Sequence, residues 1–535
     1  MIKHKEKQIK MEFVHIGQLV PEDHILRKVD KYIDFESIRA KVAHLYCPNN
    51  GRPAIDPVIL FKMLFIGYLF GIRSERQLVR DIQVNVAYRW FLGFDLTDRI
   101  PDASTISQNR RRRFIQSTIY QEIFDEIVFF AMRKNLLDGK VLYTDSTHLK
   151  ANANKNKFIK AYVTENTRSY LEELDKDVEK DRLEHGKKPL PAKDRVPQTK
   201  EIKQGVTDPD SGFMMRDGKP RGFYYLDHRT VDGKLALITD TFVTPGNVHD
   251  SIPYFSRLDR QIERFGFEVK AVGLDAGYNT AAICKGLADR NIFGVIAYRP
   301  FTPVKGYFSK RKFRYDSEKD CYICPAGKTL HYQTTERGGN RLYASNTEEC
   351  CECEFLKQCT GSANCRKIIT RHVWEGYKEK IRENRLSSYG KEIYTRRKET
   401  VERSFADSKQ LHGHRYAKMR SLRKVQEQCL LCAWTSNIKK IALALSRNGK
   451  KPKGTSPVGA LKSFFKSFEC LIWRVFASFT PNFMRIDKKT NPLAFHLFQA
   501  GGLSAVCPLI AGFAIFSFYP GQEKEQNLKN SLEYC

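Results

Sequence analysis

Val141-Leu142-Tyr143-Thr144-Asp145-Ser146-Thr147 sets an aspartate at the end of an apolar run, followed by two hydroxyl residues. The run reads as a buried strand, where a lone carboxylate is costly unless it is paired or binds a metal. A second aspartate closes a similar run, Val269-Lys270-Ala271-Val272-Gly273-Leu274-Asp275, and a glycine-containing turn follows it. Far downstream, Glu402 stands in a basic helical stretch beside Val401, Phe405 and Ser408, with Lys409 seven residues on and so on nearly the same side. Three such carboxylates can hold two divalent ions for phosphodiester chemistry.

Between the two aspartates lie the strand-like runs Phe223–Val231 and Leu235–Val243, joined through Asp232-Gly233, a strong hairpin signal. A helix over 252–265, the strand ending at Asp275, a helix over 280–290 and a strand over 293–298 complete an α/β alternation. By periodicity alone Asp145, Asp227, Asp240, Asp250 and Asp275 are equivalent, and each could simply cap the next turn.

Upstream, residues 56–137 read as a helical N-terminal, DNA-binding domain. Asp56-Pro57 starts a helix, and Val58, Leu60, Phe61, Leu64, Phe65, Tyr68 and Leu69 recur at helical spacing. Ser74 caps a second helix, and a third, opening at Asp102, runs into Arg110, Arg111, Arg112 and Arg113. These four arginines are expected to meet DNA phosphates; the alternative is a solvated helix end. Residues 1–55 read as a basic lead-in and 138–445 as the catalytic domain. Within the latter, 165–204 is a charged insertion with little core of its own, and 316–370 is a cysteine-rich insert. Residues 446–535 form a basic, aromatic C-terminal extension. Its apolar stretch, Leu503–Tyr519, is short for a membrane span and holds Pro508 and Gly512, so no membrane association is expected.

The chain has 535 residues, a formal net charge of +30 and 41% hydrophobic residues. That composition excludes a wholly disordered protein and calls for a polyanionic partner, most simply DNA or RNA. The N-terminal residues carry charge without a following apolar core, so no secretory leader is expected and the protein is placed in the cytoplasm. Its 14 cysteines are then reduced thiols. Cys321-Tyr322-Ile323-Cys324 and Cys350-Cys351-Glu352-Cys353 are paired knuckles of the kind that bind zinc, with an iron–sulfur cluster as the alternative. Cys429 and Cys432 lie in a continuous helix and read as core packing. His412 reads as solvated or touching phosphate.

The ordered set Thr144-Asp145-Ser146-Thr147, Tyr225-Leu226-Asp227-His228, Thr244-Pro245-Gly246-Asn247-Val248-His249-Asp250, Asp275-Ala276-Gly277-Tyr278 and Thr400-Val401-Glu402-Arg403-Ser404-Phe405 leading to Lys409 resembles bacterial insertion-sequence transposases of the DDE type. The likeness runs from roughly residue 12 to 445 and is narrowest to the subgroup with a cysteine-rich insert before the final glutamate. It implies a multidomain α/β protein with an RNase H-like core, a mixed sheet with helices. It implies catalysis by Asp145, Asp275 and Glu402 on two Mg²⁺ or Mn²⁺ ions. It also implies a zinc set of Cys324, Cys350, Cys353 and Cys359, with Cys321 and Cys365 as substitutes. Double-stranded DNA and a homodimer on it would be the partners, in a bacterial cytoplasm beside the nucleoid. Lys409 and Arg397 would balance phosphate charge. One departure stands out: Lys398 occupies the position four before Glu402, where such transposases often carry arginine, so Tyr394 and Arg397 are only candidates for accessory roles. An RNase H-like nuclease without joining activity and a DNA-binding regulator with inert acids are the alternatives.

Overall fold

A computed structural model describes residues 13–47, 54–164, 170–191, 199–215, 220–298 and 305–447. The extension from 448 onward, with the 503–519 stretch, lies outside the described residues. The architecture is multidomain α/β, with two sheets and flanking helices.

The main sheet has eight strands: β1 (Val141–Lys150), β2 (Phe158–Thr164), β3 (Thr199–Gly205), β4 (Gly212–Met214), β5 (Gly222–Asp232), β6 (Ile238–Pro245), β7 (Ala271–Leu274) and β8 (Phe293–Ile296). β1 is central. It pairs antiparallel with β5, Asp145 opposite Arg229, and parallel with β7. β6 pairs antiparallel with β5, and β8 parallel with β7. β2, β3 and β4 extend the sheet from the start of β5. The β5–β6 hairpin forms, but its turn spans 233–237 rather than two residues: Ala236 takes φ 54° and Gly233 donates its N–H to Val141 O at 2.8 Å.

The N-terminal helices begin earlier than residue 56. Helices Ile25–Tyr32 and Ser37–Val42 bury Leu26, Val29, Ile38 and Val42 in the same core as helix Pro57–Leu69. The described part of the lead-in therefore packs with the helical domain, because it carries an apolar stripe of its own. Asp56 caps the Pro57–Leu69 helix, which is apolar except for Lys62 and consequently almost wholly buried. The long helix Leu422–Arg447 enters this core too: Trp434 meets Phe35 and Phe65 edge-on, with ring centroids 5.9 and 5.7 Å away. From the same helix, the Asn437 amide satisfies both the N–H and the carbonyl of Ile238 on β6.

The cysteine-rich insert is a five-stranded antiparallel sheet of β9 (Arg314–Asp316), β10 (Cys321–Ile323), β11 (Thr329–Thr335), β12 (Asn340–Ser345) and β13 (Ile368–His372). The charged insertion packs on elements outside itself. Its helix, Leu171–Glu184, buries Leu174 and Val178 against Trp374. Asp181 pairs with Arg341, and Arg182 donates to Thr335 O at 2.8 Å. The charges that made this stretch look solvated are used to dock it on the second sheet.

Candidate active site

The last parallel pair between β1 and β7 is Thr144 with Leu274. Past that point β1 keeps its pairing with β5 but has no partner on the β7 side, so Asp145 and Asp275 emerge side by side in the crevice at the carboxyl end of β7, where α/β sheets bind ligands. Asp275 caps the turn Ala276–Tyr278, its Oδ1 accepting the Gly277 N–H at 2.7 Å. Asp250 joins them from the segment after β6, and its Oδ1 accepts the Ser146 hydroxyl at 2.7 Å. A methyl group on Gly277 would lie 3.0 Å from Asp275 Oδ1 and 3.6 Å from Asp250 Oδ2. Burial, then the neighbouring Asp275 charge, pushes Asp145 up to about 6 against the downward pull of Arg397. The buried Tyr278 hydroxyl, which has no hydrogen-bond partner among the described residues, lies within the field of the same three carboxylates. Asp250 is a site residue that strand-end reasoning could not single out; its signal was its place in the Asn247-Val248-His249-Asp250 run.

Glu402 reaches this crevice through Arg397. The buried Arg397 guanidinium donates from Nη2 to Asp145 Oδ2 at 2.9 Å, and its Nη1 lies 3.9 Å from Glu402 Oε1. Five residues of regular α-helix turn through about 500°, which would leave Arg397 and Glu402 some 140° apart. They share a side because residues Lys398–Glu402 form a π turn, closed by the Glu402 N–H on Arg397 O at 3.2 Å. The one extra residue in that turn is what displaced Arg397 from its expected spacing, and it belongs to a class of helix irregularity frequent at functional sites. Glu402 itself is half exposed, at 48%.

Behind the crevice a buried polar layer fixes the helix Arg403–Leu411 that follows Glu402. Arg229, opposite Asp145 on β5, donates to Ser404 Oγ at 3.0 Å and Ser408 Oγ at 2.8 Å. Its other nitrogen lies 2.8 Å from Asp227. Asp227, His414 and Cys429 bring ligand atoms within 4.8 Å of one another, a candidate metal-binding cluster. The cluster is already balanced by protein groups: although burial opposes it, Arg229 and His414 hold the Asp227 carboxyl well below its usual range. Cys429 and Cys432 are buried, as core packing requires, and Cys429 is also a member of this cluster.

The four consecutive arginines part company. Arg110 is withdrawn into ion pairs with Glu75 at 2.7 Å and Glu427 at 2.5 Å, so it is a structural tie and not a phosphate contact. Its carboxylate partners come from other helices, which a charge run cannot reveal. Arg111 and Arg112 are exposed, while Arg113 lies over the Tyr46 ring at 4.0 Å. Lys409 is half-buried on helix Arg403–Leu411. His412 is buried with Nδ1 on Tyr68 O at 3.0 Å and meets no solvent.

In the insert, Cys324, Cys350, Cys353, Cys359 and Cys365 line one small hollow. Burial, and then the thiols of Cys350, Cys324 and Cys353, push the Cys359 thiol up. The Lys328 N–H lies 3.3 Å from Cys324 Sγ. The free Cys351 thiol is raised by a hydrogen bond with the free Cys365 thiol, and Cys321 is buried in β10 with Asp316, Lys319 and Asp320 as its charged neighbours.

Comparison with known proteins finds two family matches, Transposase domain (DUF772) over residues 14–112 and Transposase DDE domain over residues 323–442. The chain carries a DDE-type transposase domain architecture. Arg397, Glu402, Lys409 and the cysteine set fall inside the transposase DDE match, whereas Asp145 and Asp275 lie between the two matched stretches. No curated protein matches. Among solved structures, the piggyBac transposase synaptic complex with hairpin DNA is similar at 11% identity, over 88% of this chain and 82% of that one, with a TM-score of 0.30. Among the described residues no helix is long and apolar enough to cross a membrane.

Proposed function

We infer that this transposase-type protein cuts double-stranded DNA at the ends of a bacterial insertion sequence and joins the freed 3′ end to target DNA. Asp145, Asp275 and Glu402 are the catalytic carboxylates of an RNase H-like core formed by β6-β5-β1-β7-β8. The observation that carries this reading is the convergence on Arg397: one guanidinium lies beside both Asp145 and Glu402, while Asp275 raises the proton affinity of Asp145. Acids from three distant stretches thus share a crevice with surplus negative charge.

The donor set is all oxygen, which suits Mg²⁺ or Mn²⁺. Two such ions would supply an activated nucleophile and a stabilised leaving oxygen. The carboxylates hold the site. Lys409 and Arg397 balance phosphate charge, and Arg111 and Arg112 address the DNA backbone. In the joining step the 3′-hydroxyl oxygen forms a bond to a target phosphorus, that phosphorus releases its own 3′ oxygen, and the hydroxyl proton departs. Pairing two element ends calls for a homodimer on DNA. Cys324, Cys350, Cys353 and Cys359 would hold a structural zinc, their thiols being gathered round one hollow.

The test is a strand-transfer assay with pre-cleaved duplex ends taken from DNA flanking the gene, target plasmid and Mg²⁺. Wild-type protein should give joined product, and Asp145→Asn none while still binding DNA. Hydrolysis without joining would leave a nuclease, and an unaffected Asp145→Asn protein would remove the acids from the mechanism.

A further inference from the structure

An open groove of about 1610 Å³ runs between the N-terminal helices and the start of the Leu422–Arg447 helix. One wall is the Glu75–Val84 helix with residues 102–111, and the other is residues 418–430. Arg110 pairs at the floor with Glu75 on its own wall and with Glu427 across the gap, so its charge is already satisfied by protein groups. The rim is a different matter. Arg73, Arg76, Arg80 and Arg111 are exposed along one wall, and Arg420 and Arg423 along the other. Six guanidiniums facing one gap repel one another, and the arrangement suits a polyanion lying between them.

The polyanion is a duplex rather than a free strand. The aromatic residues lining the groove, Tyr68, Phe114 and Tyr120, are all buried, so no ring is offered for unpaired bases to stack on. The rim instead presents arginines with serine hydroxyls such as Ser74 and Ser107, the groups that address phosphates without reading sequence. β1 leads directly from the acid cluster to this place, since Asn152, just past its end, lines the groove and accepts from Arg420 at 3.2 Å. At about 3.3 Å per extended residue, Asp145 and Asn152 are roughly 23 Å apart.

We propose that this groove grips the backbone of duplex DNA roughly seven base pairs from the bond being cut, taking about 3.4 Å per base pair. The proposal rests on the reading of DNA as substrate, and its test separates the two. Full-length protein is titrated with a labelled duplex of about 30 base pairs, and with a single strand of the same length, across a salt series. The variant Arg76→Ala/Arg80→Ala/Arg420→Ala/Arg423→Ala removes four exposed groove charges. Lys176→Ala/Lys180→Ala/Lys319→Ala/Lys357→Ala removes four exposed charges on the insertion and the insert. The groove variant should lose at least tenfold in duplex affinity, and its salt slope should fall by about 3 to 4, while the control stays close to wild type. Equal losses in both variants, or none in the groove variant, would overturn the groove assignment. So would a groove effect confined to the single strand. Wild-type protein that binds no duplex would instead remove the reading of DNA as substrate. Thermal unfolding of both variants should stay close to wild type, because every substituted side chain is exposed and the Arg420 bond to the Asn152 carbonyl is an exposed one.

Discussion

Asp145 is held where its charge is unwelcome. Its folded pKa of about 6 lies above the ordinary 3.8, so folding takes up protons between those values. The folded state is favoured most below pH 3.8, and that advantage is lost as pH rises through 6, a difference of about 3 kcal/mol at neutral pH. The side chain is only 18% exposed, so solvent screens little of this. Asp145→Asn should therefore stabilise metal-free protein by up to about 3 kcal/mol at pH 7 and by much less at pH 4, measured by urea unfolding at both. An equal effect at both pH values would show that desolvated charge is not the cause. The same shift means that a divalent ion must displace a proton below pH 6, where binding weakens. Arg397 works the other way, and its role was half legible. The sequence offered it as a candidate but at the wrong spacing, because a single inserted residue in a helix leaves no mark in composition.

At the scale of elements, the sheet's main strands were readable because their signals are local: apolar runs such as 271–274, a turn at Asp232-Gly233, a cap at Asp275. What stayed hidden depends on partners far along the chain. The charged helix Leu171–Glu184 looked solvated because its partners come from far along the chain, Arg341 from the insert and Trp374 from just beyond it. Arg110 looked like a phosphate contact because Glu427 is 317 residues away. The insert is where the proposed zinc can be tested. Its sheet has a small core of Phe313, Tyr322, Leu330, Tyr343 and Ile369, and small modules of this kind commonly need metal to hold. Purified protein should contain one zinc per chain. Cys324→Ser should remove it and open residues 316–370 to protease, while the main sheet stays resistant. Metal-free wild-type protein with the same protease pattern would dismiss the zinc.

Across the whole molecule, the N-terminal helices are held to the rest of the fold by buried ties, one of which depends on pH. His412, bonded to the Tyr68 carbonyl, is lowered by burial to about 4 from an ordinary 6.5. Its neutral form is the one the fold accepts. Stability is complete above pH 6.5 and is lost as pH falls through 4, the opposite sense to Asp145. Between pH 7 and 4.5 wild-type protein should lose about 2 to 3 kcal/mol more than His412→Gln, by the same unfolding measurement. Identical losses would place the histidine outside the acid response. The Leu422–Arg447 helix is the other tie, wedged by Trp434 among the first helices and stitched by Asn437 to β6. A chain still on the ribosome has its first 420 or so residues emerged before that wedge exists, so its earliest helices wait with their apolar faces uncovered. Chains cut short ahead of Leu422 would thus expose this face and invite chaperones or proteases.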